Sequence, residues 1–398
     1  MQLQSQEGLS GLSVHGDKAV TVIDSAEQNL YNKKVTFVDC KGRSFEMEQK
    51  EMAKKRLMIY VLIAYGLTYL MGILMWYGST KGYDLTAFPT AQMMYPAAGV
   101  IIGLFLVHKG EKILPTGFFI TVLATTGVLI LLALLSVFLP VEDLNIAGMT
   151  MSVYNLISQY VLIIGSIVAL VFLAVAGKEK RAAAGLTGQN WKGAVFLVLL
   201  FVVIYIVRTV VSMAGQGMFD GSGMQYVKEW AAMFKEPVMW VNIVALPINF
   251  FFVFIAFFGE EYGWRYYLQP ILQKKFGLRA GVIVLGVVWG LWHIPDDLFY
   301  YTQTSGIQMI FAQQITCISL GIFFAYAYMK TQNIWVPVCL HYLDNNLIPV
   351  ISGTFSADVL ENQTVSWKDL PAALVLNGLC FGFFLLSDVF KKEENKVA

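Results

Sequence analysis

The sequence predicts an all-α protein, a polytopic transmembrane helix bundle preceded by a short polar segment. Hydrophobic residues make up 57% of the 398 residues, whereas soluble domains contain about 45–50%. Charged residues make up 14%, against about 25% in soluble domains, and the mean hydropathy is +0.61. A soluble fold of this composition would need an unusually large dry interior, because folded domains keep much of their surface in water.

Ten apolar runs follow the polar segment 1–56, and they account for the predicted spans. A helix needs about 20 apolar residues to cross the hydrocarbon core, and two short runs, 91–107 and 334–351, meet this length least well. Backbone groups in lipid must be hydrogen-bonded internally, so the runs are predicted to be helices. The runs are 57–77, 91–107, 117–139, 151–176, 192–213, 238–262, 280–299, 308–329, 334–351 and 370–390.

The charges of the connecting loops predict the orientation of the bundle. Lysines and arginines cluster before the first run and after the even-numbered runs, while acidic residues such as Glu142, Asp143, Asp296 and Asp297 dominate the loops between. Loops on the cytoplasmic side carry the excess of Lys and Arg. We therefore expect about ten spans in the cell membrane with both termini in the cytoplasm, and Asp296 and Asp297 in an outer loop.

Composition divides the chain into four expected parts. They are a polar cytoplasmic segment (1–56), the N-terminal transmembrane helices (57–235), a core that carries the polar motifs (236–350), and an outer loop with the last span and tail (351–398). The formal net charge of +1 gives no basic surface, so nucleic-acid binding has no electrostatic support. The bilayer itself is the predicted partner, and the sequence does not indicate an oligomeric state.

The first polar motif lies at the end of the run that begins at Val238. Glu260 and Glu261 are adjacent, and Arg265 follows Glu261 by four residues, so these two can pair on one helix face. Charged side chains within spans are costly and usually functional, and a carboxylate in such a place suits a general base. The alternative is that the motif marks the membrane interface, where aromatic residues such as Trp264 are also favoured.

Two further motifs each contain a histidine within an apolar run. Trp289 precedes His293 by four residues, and His341 precedes Asn345 by four, so each pair shares one helix face. A donor pair such as His341 and Asn345 could stabilise an oxyanion. Alternatively, His293 is a hydrogen-bonded packing residue, and the other two form an interhelical hydrogen bond of the kind found in membrane bundles.

The combination of the motifs favours catalysis. The two histidines inside apolar runs fall within about a hundred residues of the Glu260–Glu261 pair. One carboxylate, two imidazoles and an amide are the groups needed to activate water against a carbonyl and to stabilise the tetrahedral intermediate.

The three motifs, in this order, resemble the CAAX protease and bacteriocin-processing (CPBP, or ABI) family of intramembrane endopeptidases. They read E-E-x-x-x-R at 260–265, aromatic-x-x-x-H at 289–293 and H-x-x-x-N at 341–345, and the resemblance covers about residues 240–350. Trp289 departs from the family pattern, which usually has Phe there. The resemblance implies hydrolysis of a peptide bond in a hydrophobic or lipid-anchored substrate.

The resemblance also implies a role for each residue. Glu260 would be the general base, and His293 would position and polarise the water. His341 and Asn345 would stabilise the oxyanion. Glu261 and Arg265 would support the site through their ion pair.

Two alternatives stay open from the residues alone. Zinc could be held by Glu260, His293 and His341, since two histidines and a glutamate are a possible ligand set, although the sequence has no H-E-x-x-H motif. The glutamate mechanism that the resemblance implies needs no cofactor. The chain could instead be a transporter that uses its buried Glu and His residues as a proton or solute pathway. Transporters often contain inverted repeats, and the sequence shows no such duplication.

Overall fold

The computed structural model describes residues 19–22, 35–38, 42–146, 149–352 and 361–391, and it is a helical bundle, as predicted. Two small antiparallel pairs accompany the helices: β1 (Ala19–Val22) with β2 (Val35–Val38), and β3 (Leu144–Ile146) with β4 (Met149–Met151). Much of the polar segment 1–56, part of the expected outer loop and most of the tail lie outside the described residues.

The helices follow one another along the chain with short connections. In order they are α1 (Gly42–Val61), a π-helical segment (Leu62–Leu67), α2 (Thr68–Lys81), α3 (Ala87–Gln92), α4 (Tyr95–Val107), α5 (Thr116–Phe138), α6 (Val153–Val175), α7 (Lys178–Ala183), α8 (Trp191–Phe219), α9 (Gln225–Met233), α10 (Pro237–Glu261), a second π-helical segment (Tyr262–Leu268), α11 (Gln269–Phe276), α12 (Leu278–Trp292), α13 (Ile294–Phe299), α14 (Gly306–Thr331), α15 (Trp335–Ser352), α16 (Asp369–Cys380), and two 3₁₀ turns (Gly382–Leu386 and Asp388–Phe390).

Eight helical stretches in the described part of the chain are long and apolar enough to cross a membrane, so the chain is a multi-pass membrane protein. They are Lys50–Lys81, Ala87–Val107, Thr116–Phe138, Val153–Val175, Trp191–Phe219, Pro237–Phe276, Leu278–Phe299 and Gly306–Thr331. The predicted spans 334–351 and 370–390 are helical but fall outside this set. In α15 the polar side chains lower the hydropathy, and α16 is a shorter apolar helix of 12 residues that is followed by 3₁₀ turns.

The second π-helical segment directly follows the paired glutamates. It joins α10 to α11 within one helical stretch of 40 residues, and all seven of its residues are buried. π-helical turns inside α-helices are rare and are frequently found at functional sites. The irregular turn therefore lies where the sequence predicts a site.

Glycines let the N-terminal helices closely approach α10 and the second π-helical segment. A Cβ atom at Gly259 would lie 2.4 Å from the carbonyl oxygen of Met93, and one at Gly263 would lie 2.2 Å from Pro96 Cβ. Small residues are favoured where membrane helices pack tightly. The turn between α3 and α4 thus packs directly against the helix that carries the glutamate pair.

Asp296 and Asp297 correct one prediction. The loop charges indicate an outer loop, but both residues lie in α13 and are buried, with 2% and 0% of their surface exposed. Gln92 donates its amide to Asp296 Oδ2 at 2.7 Å. The charge pattern was misleading because the short helix α13, which follows α12 directly after a break at His293, is buried within the bundle.

Candidate active site

The general base predicted by the resemblance, Glu260, is buried and is held by two indole groups. Its Oε2 atom accepts the N–H of Trp289 at 2.8 Å and that of Trp264 at 3.3 Å. Trp264 lies one turn along the same helical stretch, whereas Trp289 belongs to α12. One oxygen of the carboxylate is therefore fixed by both helices.

His341 lies between the two adjacent glutamates. Its Nδ1 atom is 2.9 Å from Glu261 Oε1, and its Nε2 atom is 3.9 Å from Glu260 Oε1. Because an ionised carboxylate only accepts hydrogen bonds, Nδ1 carries a hydrogen, and Nε2 is the nitrogen that faces Glu260 beyond hydrogen-bond range. The ring of His341 packs edge-on against Phe257 and Trp289.

Glu261 and Arg265 form the ion pair that their spacing predicts. Arg265 Nε lies 2.9 Å from Glu261 Oε2, and both side chains are fully buried. The geometry is that of a close charge pair rather than an aligned hydrogen bond. The guanidinium carbon also lies 4.9 Å from the ring centre of Trp289 and 5.5 Å from that of Phe324, so cation–π contacts contribute to its stabilisation.

His293 is buried at the point where α12 ends. Its Nδ1 atom lies 2.9 Å from the carbonyl oxygen of Trp289. Since a carbonyl can only accept, Nδ1 carries the hydrogen, and in the neutral ring Nε2 keeps its lone pair. Trp289 thus donates to Glu260, accepts from His293 and packs against His341 with ring centres 5.5 Å apart.

Asn345 is the predicted site residue that the structure does not bring into this cluster. Its side chain is exposed, and it takes part in no hydrogen bond with any described residue. It lies on α15 one turn beyond His341, which places it about 6 Å further along the helix axis. The helix α15 therefore directs the imidazole of His341 towards the glutamates, whereas the amide of Asn345 lies further along the helix.

Zinc held by Glu260, His293 and His341 stays a prediction. Within the described ranges, no three His, Cys, Asp or Glu side chains lie close enough together to hold a metal ion. Glu260 Oε2 accepts two hydrogen bonds and both Nδ1 atoms are engaged, which leaves Glu260 Oε1 and the Nε2 atoms of His293 and His341 as the candidate ligand atoms.

Sequence reasoning missed several residues around the site. Trp264 follows Glu260 by four residues, so the helical period that predicted the Glu261–Arg265 pair could also have indicated it. Asp296 follows His293 by three residues, but nothing in the sequence shows that it is buried. Phe257 and Phe324 are ordinary apolar residues, and only the fold brings them to His341.

Residues 242–347 match the family model described as type II CAAX prenyl endopeptidase Rce1-like. This segment is similar to Rce1-like domains. The chain is also similar to CAAX prenyl protease 2 of Methanococcus maripaludis, with 27% identity over 140 residues, which is 33% of this chain and 49% of the relative. The chain thus spans about half the length of this curated relative. No solved structure matches the chain.

The Rce1-like segment contains every residue that the sequence predicts for the site, from Glu260 to Asn345. The resemblance read from the three motifs is therefore confirmed at the level of the family. The spans before residue 242 lie outside the match, although the turn between α3 and α4 packs against its first helix.

Proposed function

We propose that the protein is an intramembrane endopeptidase that hydrolyses a peptide bond in a hydrophobic or lipid-anchored substrate. One observation carries the proposal. Glu260 is a buried carboxylate with one oxygen held by two indole N–H groups and the other facing His341 Nε2, inside the Rce1-like segment. A carboxylate held in this way in a low-dielectric site suits proton transfer from water.

In the proposed first step, Glu260 Oε1 takes a proton from a water molecule. His293 Nε2 accepts the second hydrogen of the same water as a hydrogen bond, because its Nδ1 already donates to the Trp289 carbonyl. The water oxygen attacks the carbonyl carbon of the substrate and forms a tetrahedral intermediate. The indole donors keep Glu260 Oε2 engaged, so the second oxygen performs the transfer.

His341 is proposed to stabilise the oxyanion. Its Nδ1 donates to Glu261, so Nε2 can donate only when the ring is protonated, and the carboxylates on either side favour that charge. A donor aimed at the oxyanion in a dry site is worth more than in water. Asn345 is proposed as a second donor, one turn along the same face of α15.

The intermediate then collapses as the peptide C–N bond breaks. The proton held by Glu260 passes to the leaving amine, which restores the carboxylate for another turnover. Glu261 and Arg265 take no part in bond breaking, and they hold the orientation of His341 by charge and contact. No cofactor enters these steps.

The substrate class is proposed from the relative. The curated protein of Methanococcus maripaludis is named a CAAX prenyl protease, so a prenylated C-terminal peptide is the first substrate to test. The purified protein in lipid nanodiscs is given a farnesylated peptide and its unmodified twin, and the products are measured by mass spectrometry. We expect cleavage of the farnesylated peptide by the wild type and not by Glu260→Gln.

Glu142→Gln is the matched control, because Glu142 is an exposed loop carboxylate. It should cleave at the wild-type rate. Equal activity of Glu260→Gln and the wild type would remove the base assignment. Loss of activity with a chelator and its return with zinc would replace the glutamate mechanism with a metal mechanism. Uptake of solute into sealed vesicles, without cleavage products, would favour the transporter alternative.

A further inference from the structure

The helix α12, which carries Trp289 and ends at His293, terminates inside the bundle. Some backbone carbonyls at its end therefore lack an intrahelical hydrogen-bond donor. Pro295 has no N–H group, so the carbonyl of Leu291 loses the donor that a continuous helix would supply four residues later. The N–H of His293 bonds to Gly290 O at 3.1 Å, so the Trp289 carbonyl turns to the histidine ring instead. Carbonyls at a helix end have no intrahelical partner, and lipid offers none.

Side chains of the N-terminal spans donate to carbonyls in the last turns of α12. The hydroxyl of Tyr65 donates to Val288 O at 2.6 Å, and that of Tyr69 donates to Leu291 O at 2.8 Å. Both tyrosines belong to the stretch Lys50–Lys81, more than 200 residues away in sequence. A side chain from another span thus satisfies the carbonyl that the proline leaves without a partner.

A third donor lies at the end of α3. Gln92 Nε2 lies 3.2 Å from Trp292 O and 2.7 Å from Asp296 Oδ2. These two acceptors stand on either side of His293, the first directly before it and the second three residues after it. Gln92 is 2% exposed, so this amide bridges the helix break in the interior of the bundle.

A bond in the opposite direction completes the connection. The indole N–H of Trp292 donates to Ala64 O at 2.8 Å, and Ala64 belongs to the first π-helical segment. Five hydrogen bonds therefore join the N-terminal helices to residues 288–296. All four partners from the N-terminal side lie outside the Rce1-like segment 242–347.

We propose that Tyr65, Tyr69 and Gln92 are positioning residues that hold the helix break at His293 and so fix the orientation and tautomer of its ring. The Rce1-like segment alone would leave the carbonyls of Leu291 and Trp292 without these donors. The catalytic consequence rests on the proposed function, but the structural one does not. The first spans of this chain thus help to position His293 in the candidate site.

The test uses the full chain in lipid nanodiscs with Gln92→Leu, Tyr65→Phe and Tyr69→Phe. Hydrogen exchange of amides 290–299 and the ¹⁵N NMR signal of the His293 ring are measured, with the signal assigned through His293→Gln. Tyr77→Phe is the matched control, because Tyr77 is on the same span, is 42% exposed, and its hydroxyl has no hydrogen bond to α12.

We expect each of the three variants to raise exchange at least fivefold in this segment and to give a mixture of His293 tautomers, while Tyr77→Phe changes neither. For a cleaved peptide, kcat should fall about tenfold with KM within twofold. Tyr69→Phe removes only a hydroxyl from an exposed ring, so we expect this variant to fold. If Gln92→Leu does not fold, Tyr69→Phe tests the inference.

Unchanged exchange and a single tautomer in the folded variants would overturn the inference, whatever the activity. If the wild type cleaves no peptide, the proposed function fails, while the exchange and NMR data still decide this inference.

Discussion

Trp289 donates its indole N–H to Glu260 Oε2 at 2.8 Å and thereby connects α12 to the carboxylate on α10. The same residue accepts a hydrogen bond from His293 through its carbonyl oxygen. A phenylalanine at this position could fill the same space but could not donate. In this chain, the aromatic residue of the second motif is therefore a polar contact of the glutamate as well as a packing residue.

Replacing Trp289 by Phe should lower kcat without unfolding the protein. A hydrogen bond to a charged group contributes about 1.5–3 kcal/mol, and Trp264 still holds the same oxygen, so we expect a loss of about tenfold. The rate is measured on the farnesylated peptide, with thermal unfolding as the check on folding. A wild-type kcat would show that the indole N–H does not orient Glu260.

Replacing Glu261 by Gln should destabilise the bundle, because Arg265 would remain as a buried charge without its partner. Breaking one side of a buried ion pair costs about 3–5 kcal/mol. The double variant Glu261→Gln with Arg265→Met should recover most of the free energy of unfolding, measured by denaturant titration in detergent. A double variant as unstable as the single one would contradict the charge-pair account.

The variants Asp296→Leu and Asp297→Leu form a matched comparison of two adjacent buried carboxylates. Asp296 accepts a hydrogen bond from Gln92, whereas both oxygens of Asp297 have no hydrogen-bond partner among the described residues. An apolar side chain in place of an unsatisfied buried group is nearly neutral or stabilising. We expect Asp297→Leu to keep or raise the melting temperature and Asp296→Leu to lower it. The reverse order would show that Asp297 has a partner that matters for stability.

Replacing Gly263 by Ala should disrupt the contact between the glutamate helix and α4, because the added Cβ would lie 2.2 Å from Pro96 Cβ. Overpacking of this kind costs about 1–3 kcal/mol. Gly127→Ala is the control, since no atom lies within 4 Å of its Cβ position. Thermal unfolding of the two variants is compared, and equal stability would show that the close approach is not needed.

Local sequence patterns predicted the features that depend on a single helix, namely side-chain pairs within it and its ability to span the membrane. The spacing of Glu261 and Arg265 predicted their pair, and the apolar runs predicted eight of the stretches that can span the membrane. The sequence also placed Glu260 and the two histidines in one segment. These inferences needed only the helical period and the cost of charges in lipid.

Contacts between distant segments were beyond the sequence. The bond from Gln92 to Asp296 joins residues 204 positions apart, and no local rule relates them. The burial of α13 depends on Gly72, where an added Cβ would lie 2.9 Å from Pro295. The sequence suggested that His341 acts together with Asn345. The contact of His341 with Glu261 instead depends on how α10 and α15 pack, which no local pattern shows.

The most direct test of the central claim compares the peptides in membranes from cells that express the wild type or Glu260→Gln at equal levels. The account predicts new peptide termini that are present with the wild type, absent with Glu260→Gln, and unaffected by a chelator. The same set of termini from both proteins would contradict the assignment of Glu260 as the base of an intramembrane endopeptidase.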